Sequence, residues 1–322
     1  MSCCFANIYL WAFIFLLLGI KIYLKLTTGR CTSKKRMDGK TVIVTGANTG
    51  IGKETARDLA RRGARVILAC RDMKKAEEAL KDIVASTGNS NLEAQHLDVS
   101  SLASVRKFAD HINKTENRLD VLVNNAGVAA INYKLTSDNL LIGMQVNHFG
   151  PFLLTCLLIE LLKRSAPSRI IMVSSVLHAY AKFDIDNLNS EKWFSSTQVY
   201  NCSKLANIMV ANELARRLKG TGVTANSLHP GAVLTDVWRH LSGVTKAIVT
   251  SVLKVFCKDA VEGAQTTIYL AVSEEVEGVT GKYFVDCKEK QPRRLALNEG
   301  IAKKLWEKSE ILVGLKPEEN LF

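Results

Sequence analysis

Hydrophobic positions follow two alternating patterns along most of the chain. From Lys40 onward, short runs of apolar and β-branched residues alternate with longer stretches in which apolar residues recur with helical spacing. This alternation is typical of a parallel β-sheet with helices on both faces. No internal repeat or low-complexity linker interrupts it. We therefore predict a single α/β domain over residues 39–322, built as a Rossmann-type, doubly wound parallel sheet of seven strands.

The same patterns place the individual elements. The predicted strands cover 41–46, 64–70, 92–99, 119–127, 169–175, 223–231 and 282–286. The predicted helices cover 52–62, 72–85, 105–114, 138–163 and 199–218, with a further helix from Asp259. Gly150 and Pro151 predict a kink inside the long helix.

The first twenty residues form a separate apolar region. Residues 1–20 carry no charge, and twenty apolar residues in a helix are long enough to cross a bilayer. We predict an uncleaved membrane anchor, with a cleavable signal peptide and a buried core helix as the alternatives. Six basic residues between Lys21 and Arg36 define a basic juxtamembrane linker over 21–38. Basic flanks stay on the cytosolic side, so the folded body is expected to face the cytosol.

Composition narrows the class of protein. Hydrophobic residues make up 47% and charged residues 23% of the chain, which excludes disordered and fibrous classes. The net charge is +12, but half of that surplus lies in the juxtamembrane cluster, and the remainder is too mild for nucleic-acid binding. The eight cysteines form no CxxC pair, so neither a disulfide framework nor a metal site is indicated. His148, His178 and His229 lack metal spacing and are interpreted as packing or turn residues.

A glycine-rich segment between the first predicted strand and helix has the chemistry of a phosphate-binding turn. Gly46 permits a tight turn, Gly50 lets the backbone approach a pyrophosphate, and Gly52 allows close packing of the helix. The alternative is that these glycines serve the turn alone. The predicted cofactor-binding residues of this segment are Gly46, Asn48, Thr49, Gly50, Ile51 and Gly52.

The end of the second strand indicates which dinucleotide is preferred. Cys70 and Arg71 stand where an NAD-binding chain would place a carboxylate for the ribose hydroxyls. A guanidinium can pair with a 2′-phosphate, so NADP(H) is the predicted cofactor. Lys53 is either a second phosphate contact or a solvated helix residue. Asp98 is predicted to bind the adenine edge, with a helix N-cap as the alternative.

Tyr200 and Lys204 are the candidate proton-transfer residues. Their i, i+4 spacing places both on one face of a helix. An adjacent ammonium favours the phenolate and would lower the tyrosine pKa. Ser175 ends the fifth predicted strand at the edge where ligands bind in such sheets, so its hydroxyl can reach a substrate carbonyl.

Taken in order, these motifs resemble the short-chain dehydrogenase/reductases. The matching segments are TGANTGIG, NNAG at 124–127, Asn147, VSS at 173–175, YxxxK and HPG at 229–231. More narrowly, segments such as GANTGIGKETA, NHFGPFLLT and YNCSKLAN are similar to the microsomal NADP-linked retinol dehydrogenases. Residues 238–257 match no pattern of that group, which leaves the exact substrate open.

The resemblance implies a role for each matching residue. Tyr200 would be the general acid or base, Lys204 would tune its pKa and bind the nicotinamide ribose, and Ser175 would orient the substrate carbonyl. Asn147 would hold the helix kink and a proton-relaying water, with a plain helix breaker as the alternative, and Ser174 is the alternative hydroxyl. The remaining predicted coenzyme contacts are Asn124, Ala126, Gly127, Pro230, Gly231 and Thr235.

The expected activity is NADP(H)-dependent interconversion of retinal, or a similar lipophilic aldehyde, and its alcohol. The resemblance and the predicted topology imply reduction in cells, at the endoplasmic reticulum membrane, with membrane lipid as a partner. Steroid or general lipid-carbonyl reduction is the alternative activity, and an inactive membrane-anchored NADP-binding scaffold is the non-enzyme alternative. The apolar stretch 233–256 is either a lid that touches the membrane or a helix packed on its own domain.

Overall fold

One mostly parallel β-sheet runs through the protein, whose computed structural model describes residues 11, 15, 19–23, 25–129, 131–233, 257–319 and 321. Within those residues the sheet has eight strands in the order β3-β2-β1-β4-β5-β6-β7-β8. The strands are β1 Thr41–Thr45, β2 Arg65–Cys70, β3 Leu92–His96, β4 Val121–Asn124, β5 Ser168–Val173, β6 Val223–His229, β7 Tyr283–Val285 and β8 Lys288–Lys290. The direction of winding reverses between β1 and β4, and ligands bind at such a switch point in open α/β sheets.

Helices cover both faces of the sheet. They are α1 Gly50–Arg61, α2 Met73–Thr87, α3 Leu102–Thr115, α4 Ile142–Met144, α5 Gly150–Leu157, α6 Ile159–Arg164, α7 Ser196–Arg217, α8 Ala260–Val272 and α9 Glu299–Leu312. The doubly wound α/β fold is therefore confirmed. Side chains of β1 show how the two layers are filled, since Ile43 belongs to the core cluster under α3, α5 and α7, whereas Val42 and Val44 belong to the one under α1 and α8.

The predicted count of seven strands is wrong, because an eighth strand pairs antiparallel with β7. The two strands are joined by Asp286 and Cys287, which both have positive φ, 53° and 57°. A two-residue turn of this kind normally carries Asn or Gly, so Asp-Cys gave no hairpin signal. The strand that follows, with the sequence KEK, is exposed and has no apolar alternation to reveal it.

The long helix predicted over 138–163 is interrupted more than the sequence indicated. It begins at Ile142, passes through a π-helical turn over Gln145–Phe149, continues as α5 and breaks again at Leu158. The predicted kink at Gly150 is therefore a wider π turn just before that glycine. Such turns occur frequently at functional sites, and this one contains Asn147.

Part of the predicted basic linker packs against the domain. The backbone N–H of Gly29 donates to Asp286 Oδ1 at 3.1 Å, and that of Cys31 donates to Gln265 Oε1 at 3.1 Å. Arg62 holds the segment by donating to the carbonyls of Ser33 and Lys35. Residues 29–35 thus contact the domain, and the boundary at residue 39 stays a prediction.

The N-terminal anchor falls largely outside the described residues. Most of 1–20 belongs to that part of the chain. Among the residues that are described, no helix has the length and apolar character needed to cross a membrane. The anchor remains a prediction.

Helix α9 closes the core at the carboxyl end of the chain. Trp306 is fully buried, and its ring meets Phe152 of α5 edge to face, with centroids 4.8 Å apart. The guanidinium of Arg217 lies 4.4 Å from the centre of the same ring. The terminal helix is thus an integral part of the domain.

Replacing Trp306 by alanine is expected to destabilise the domain by about 3–5 kcal/mol, because it removes a buried aromatic side chain and leaves a cavity. Denaturant unfolding followed by circular dichroism measures the change. Ile311→Ala is the matched control on the same helix, since Ile311 is 78% exposed and its loss should cost about 0.5 kcal/mol or less. Equal effects of the two substitutions would contradict the packing role of α9.

Candidate active site

The glycine-rich turn leaves the amino end of α1 open to an anion. Thr49 is the N-cap residue, with extended backbone angles and no side-chain hydrogen bond to the helix, and the first turn contains no acidic residue. The backbone N–H groups and the helix dipole are therefore directed at whatever lies beyond the turn. This geometry fits the phosphates of a dinucleotide.

Two glycines allow the turn to form as closely as it does. Gly46 has φ of +66°, which favours glycine. A Cβ on Gly52 would lie 2.4 Å from the carbonyl oxygen of Gly46 and 2.5 Å from Nδ2 of Asn125. No other residue type fits at Gly52 without moving the turn.

At the end of β4, Asn125 rather than Asn124 reaches the turn. The Asn124 side chain is buried and donates to Thr155 Oγ1 at 2.9 Å, which argues against its predicted direct contact with a coenzyme. The Asn125 amide donates to the Thr45 carbonyl at 2.8 Å. The backbone N–H groups of Asn125 and Ala126 both donate to Thr45 Oγ1, each at 2.9 Å. Thr45 and Asn125 were not predicted as site residues.

Gly127 lies beside the candidate proton-transfer residues. A Cβ there would meet Lys204 Nζ and Asn147 Oδ1, each at 3.3 Å. Ala126 and Gly127, which were predicted as coenzyme contacts, therefore connect the glycine-rich turn with Lys204 and Asn147.

The residues predicted to select the dinucleotide stand beside the turn. Cys70 is buried at the end of β2, where its thiol is hydrogen-bonded to backbone of Ala47 and Asn48, and desolvation raises its pKa to about 11. Arg71, the next residue, is exposed. Lys53 forms an ion pair with Asp82, with Nζ 2.7 Å from Oδ2. The charge of Lys53 is thus already partnered.

Asp98 lies in the loop after β3. Its Oδ1 accepts hydrogen bonds from the backbone N–H of Ser100 at 2.9 Å and from the Ser100 hydroxyl at 2.6 Å. The N-cap of α3 is Ser101, whose side chain accepts from Ser104 N, so the alternative of Asp98 as the N-cap is wrong. Binding of an adenine edge by Asp98 remains a prediction.

The two serines after β5 have different partners. The Ser174 hydroxyl donates to the Lys204 carbonyl at 2.6 Å, so its proton is used in a hydrogen bond to α7. Ser175 Oγ accepts from the backbone N–H of Leu177 at 3.2 Å, and the Ser175 side chain is close enough to Tyr200 to lower its pKa. Of the two hydroxyls, Ser175 is the one placed for chemistry.

Tyr200 and Lys204 approach each other on α7 as their spacing predicts. Lys204 Nζ lies 5.5 Å from the centre of the Tyr200 ring and donates to the Val173 carbonyl at 3.1 Å. Burial lowers the pKa of Lys204 to about 8, so most of it is protonated at pH 7. For Tyr200, burial raises the pKa and the hydrogen bond with Ser175 lowers it, with burial the larger effect. The predicted net lowering of the Tyr200 pKa is therefore not observed.

Asn147 is held by the π turn with its whole amide engaged. Its Oδ1 accepts from Val128 N at 2.8 Å, and its Nδ2 donates to Val128 O at 2.9 Å and to Ser203 Oγ at 3.0 Å. The side chain therefore links the loop after β4 to α7, which is more than the role of a helix breaker.

After β6, Pro230 and Gly231 are held by Lys258. The Lys258 ammonium forms an ion pair with Asp286 and lies 3.4 Å from the Pro230 carbonyl. A Cβ on Gly231, whose φ is +99°, would lie 2.6 Å from the Lys258 side chain. Thr235 and nearly all of the stretch 233–256 lie outside the described residues.

A small, open-sided cavity lies beside Tyr200. Its lining is mostly apolar and was not predicted from the sequence, because the residues come from three separate loops and helices. They include Val128, Ile131, Leu141, Phe194, Val199 and Tyr200. An apolar group bound there would lie next to Tyr200.

The site therefore joins an anion-binding turn to a proton-transfer group. Within the described residues, no cluster of His, Cys, Asp or Glu could hold a metal ion. The residues that meet in this cleft are Asn147, Ser175, Tyr200 and Lys204 from the proton-transfer group and Gly46, Gly52, Ala126, Gly127, Pro230 and Gly231 from the dinucleotide side.

Comparison with known proteins agrees with this geometry. A family model described as short chain dehydrogenase matches residues 40–244. A crystal structure of an uncharacterized protein from Mycobacterium paratuberculosis is similar with a TM-score of 0.71 and 33% identity, covering 89% of this chain and 98% of the other. The RhlG/NADP active-site complex from Pseudomonas aeruginosa is similar with a TM-score of 0.63 and 27% identity, covering 77% and 95%.

Curated relatives match over most of the chain. Human retinol dehydrogenase 14 is 49% identical over 294 residues, which cover 87% of this chain and 88% of the relative. Human retinol dehydrogenase 13 is 48% identical over 305 residues, covering 92% of each chain. Mouse retinol dehydrogenase 11 is 47% identical over 303 residues, covering 94% of this chain and 95% of the relative.

Proposed function

Because this chain belongs to the short-chain dehydrogenase family, we propose that it is an NADP(H)-dependent oxidoreductase that interconverts retinal, or a similar lipophilic aldehyde, and the corresponding alcohol. The observation that carries the proposal is the placement of Ser175, Tyr200 and Lys204 together: Lys204 Nζ lies 5.5 Å from the centre of the Tyr200 ring, and the Ser175 side chain is close enough to Tyr200 to lower its pKa. The names of the relatives supply the retinoid substrate class. The apolar lining of the cavity beside Tyr200 suits a substrate of that kind.

The coenzyme is proposed to lie across the glycine-rich turn. Its pyrophosphate would be bound by the backbone of Gly46, Gly50 and the amino end of α1. When bound, the nicotinamide supplies or accepts the hydride. Arg71 would pair with the 2′-phosphate, since it is exposed beside the turn while Lys53 is held by Asp82.

The protein's own residues would handle the proton and the carbonyl. Ser175 would donate a hydrogen bond to the carbonyl oxygen and so polarise it. Tyr200 would protonate the alkoxide that develops in reduction, and would accept the proton in oxidation. Lys204 would favour the ionised phenol after this transfer, because its ammonium is close and poorly solvated. Asn147 would hold the loop after β4 in place beside this group.

Reduction is the proposed direction in cells, and the proposed location is the cytosolic face of the endoplasmic reticulum membrane. The location rests on the apolar residues 1–20 and the basic residues that follow them. The direction rests on the resemblance and on that location, because NADP in the cytosol is held mostly reduced. An inactive NADP-binding scaffold is disfavoured, because Ser175, Tyr200 and Lys204 are all present.

Removing the Tyr200 hydroxyl tests the proton transfer. Tyr200→Phe is expected to lower turnover by roughly three orders of magnitude, because it removes the hydroxyl that is proposed to protonate the alkoxide, while NADPH binding is retained. Single-turnover kinetics and fluorescence titration with NADPH measure the two quantities. Tyr269→Phe is the matched control, since that hydroxyl bonds to Glu275 instead. More than a tenth of wild-type turnover in Tyr200→Phe would contradict the assignment.

Exchange of the residues after β2 tests the coenzyme preference. Cys70→Asp combined with Arg71→Ala should shift the preference from NADPH towards NADH by roughly 2–4 kcal/mol, since a charged hydrogen bond is lost and a repulsive carboxylate is added. The ratio of kcat/KM for the two coenzymes measures the shift, with Arg71→Ala and Lys53→Ala as single controls. If the double variant keeps its preference and Lys53→Ala loses it, Lys53 binds the phosphate despite its ion pair.

A substrate panel tests the retinoid assignment. Each buried methylene contributes about 0.8 kcal/mol in an apolar pocket, but longer aldehydes also concentrate in lipid. The measurement is therefore kcat/KM in detergent at fixed micellar mole fraction, comparing retinal with saturated aldehydes of matched partitioning and with a ketosteroid. Retinal is expected to be the best substrate. If it shows no advantage, a general lipid-carbonyl reductase is the better description, and if the ketosteroid is best, a steroid reductase is.

A further inference from the structure

Both ring nitrogens of His178 are engaged in a short 3-10 turn over Val176–Tyr180, directly after Ser175. Nδ1 lies 2.7 Å from the Ser175 carbonyl oxygen, and Nε2 lies 3.1 Å from the backbone nitrogen of Arg293. The side chain is buried, and its ring meets Tyr283 edge to face with centroids 5.1 Å apart. His178 thus bridges the serine loop and a segment more than a hundred residues later in the chain.

The two partners fix the tautomer of His178. A carbonyl oxygen can only accept a hydrogen bond, so Nδ1 carries the proton. A backbone N–H can only donate, so Nε2 is the unprotonated acceptor. Burial lowers the pKa of His178, which keeps the ring in this neutral form at pH 7. A charged ring would direct a second N–H at the N–H of Arg293.

This bridge acts on the backbone of the candidate catalytic serine. The Ser175 carbonyl accepts from Nδ1 of His178 and also from the His178 backbone N–H at 3.1 Å. The backbone N–H of Leu177 in the same turn donates to Ser175 Oγ. That bond occupies one side of the serine oxygen and leaves its hydrogen free to point towards Tyr200 and the cavity. The orientation of the hydroxyl therefore depends on the turn being held.

The turn is held from the carboxyl-terminal side by Arg293. Its backbone N–H donates to His178, and its guanidinium donates to the carbonyl of Ala181 at the end of the turn. Arg293 then leads into the last helices of the chain. Arg293 thus forms hydrogen bonds with both His178 and Ala181 of this turn.

We propose that His178 is a positioning residue, which couples the carboxyl-terminal segment at Arg293 to the orientation of the Ser175 hydroxyl. The inference rests on the proposed role of Ser175 in polarising the substrate carbonyl. It assigns to His178 no contact with substrate or coenzyme. Its effect is transmitted through the backbone of Ser175, so it should appear in kcat and leave substrate binding nearly unchanged.

Two substitutions of His178 separate positioning from packing. His178→Phe keeps the ring against Tyr283 but removes both hydrogen bonds, and it should lower kcat roughly 10- to 100-fold, as expected for a misplaced reacting group. KM for the aldehyde and the Kd of NADPH should change less than about threefold, because the binding surfaces are intact. His178→Asn can still donate to the Ser175 carbonyl from the position of Nδ1 but cannot accept from Arg293, so it should recover only part of the lost kcat.

A pair of substitutions at Arg293 tests the hydrogen bond to Nε2 of His178 without altering the histidine itself. Arg293 has φ of −53° and ψ of 138°, which a proline can adopt. Arg293→Ala removes the guanidinium and keeps the N–H, whereas Arg293→Pro removes both. The additional loss of kcat in the proline variant, expected to be at least fivefold, measures the N–H bond to Nε2.

The tautomer itself has a spectroscopic signature that is independent of activity. In protein labelled with ¹⁵N-histidine, one of the six histidines should show a protonated Nδ1 and an unprotonated Nε2, and that signal should be absent from His178→Phe. A protonated Nε2 at His178, or unchanged kcat in both His178→Phe and Arg293→Pro, would overturn the proposal.

Ser175→Ala distinguishes failure of the His178 positioning role from failure of the proposed role of Ser175. If that variant is inactive while His178→Phe is fully active, the proposed function stands and the positioning role fails, and if Ser175→Ala is fully active, the proposed role of the serine fails first.

Discussion

Four hydrogen bonds join the end of β1 to the end of β4, and the glycine-rich turn of the candidate site depends on them. Thr45 Oγ1 accepts from the backbone of Asn125 and Ala126 and donates to the Val123 carbonyl, and the Asn125 amide donates to the Thr45 carbonyl. These bonds cross the point where the winding of the sheet reverses. They bring the glycine-rich turn so close to β4 that residue 52 has no room for a side chain. The glycine-rich turn and the end of β4 are therefore held together as one edge of the sheet.

Burial determines the pKa of Lys204, the charged group beside Tyr200. Lys204 is almost fully buried, and its ammonium has a backbone carbonyl as its partner in place of a carboxylate. A cation in that position is costly, because a carbonyl dipole replaces only part of the lost hydration. The cost is reflected in its pKa of about 8. Such a group is well suited to stabilise a negative charge that forms transiently on the neighbouring phenol.

The sequence allowed the architecture and the main chemical groups to be predicted, because each has a local signature. Gly46 and Gly52 follow a buried strand, and Tyr200 and Lys204 are one helical turn apart. Features that depend on contacts distant in the sequence could not be predicted. The π turn around Asn147 has no composition signal, and Asn125 was not distinguished from Asn124 by the NNAG motif alone. The second partner of His178 lies 115 residues away, so no spacing rule could reveal it.

The packing of the carboxyl-terminal segment has a consequence for how the protein is made. Trp306 fills the core between α5 and α7, and Arg293 holds the turn that carries Ser175. During synthesis the amino-terminal strands emerge first, but neither the core nor the serine turn can be completed until these last residues have left the ribosome. The nascent chain must therefore remain incompletely folded, with part of its apolar interior uncovered, until residues 293–306 have been made. A chain that stopped before Arg293 would lack both supports, so it would neither pack this part of the core nor hold the turn that orients the Ser175 hydroxyl.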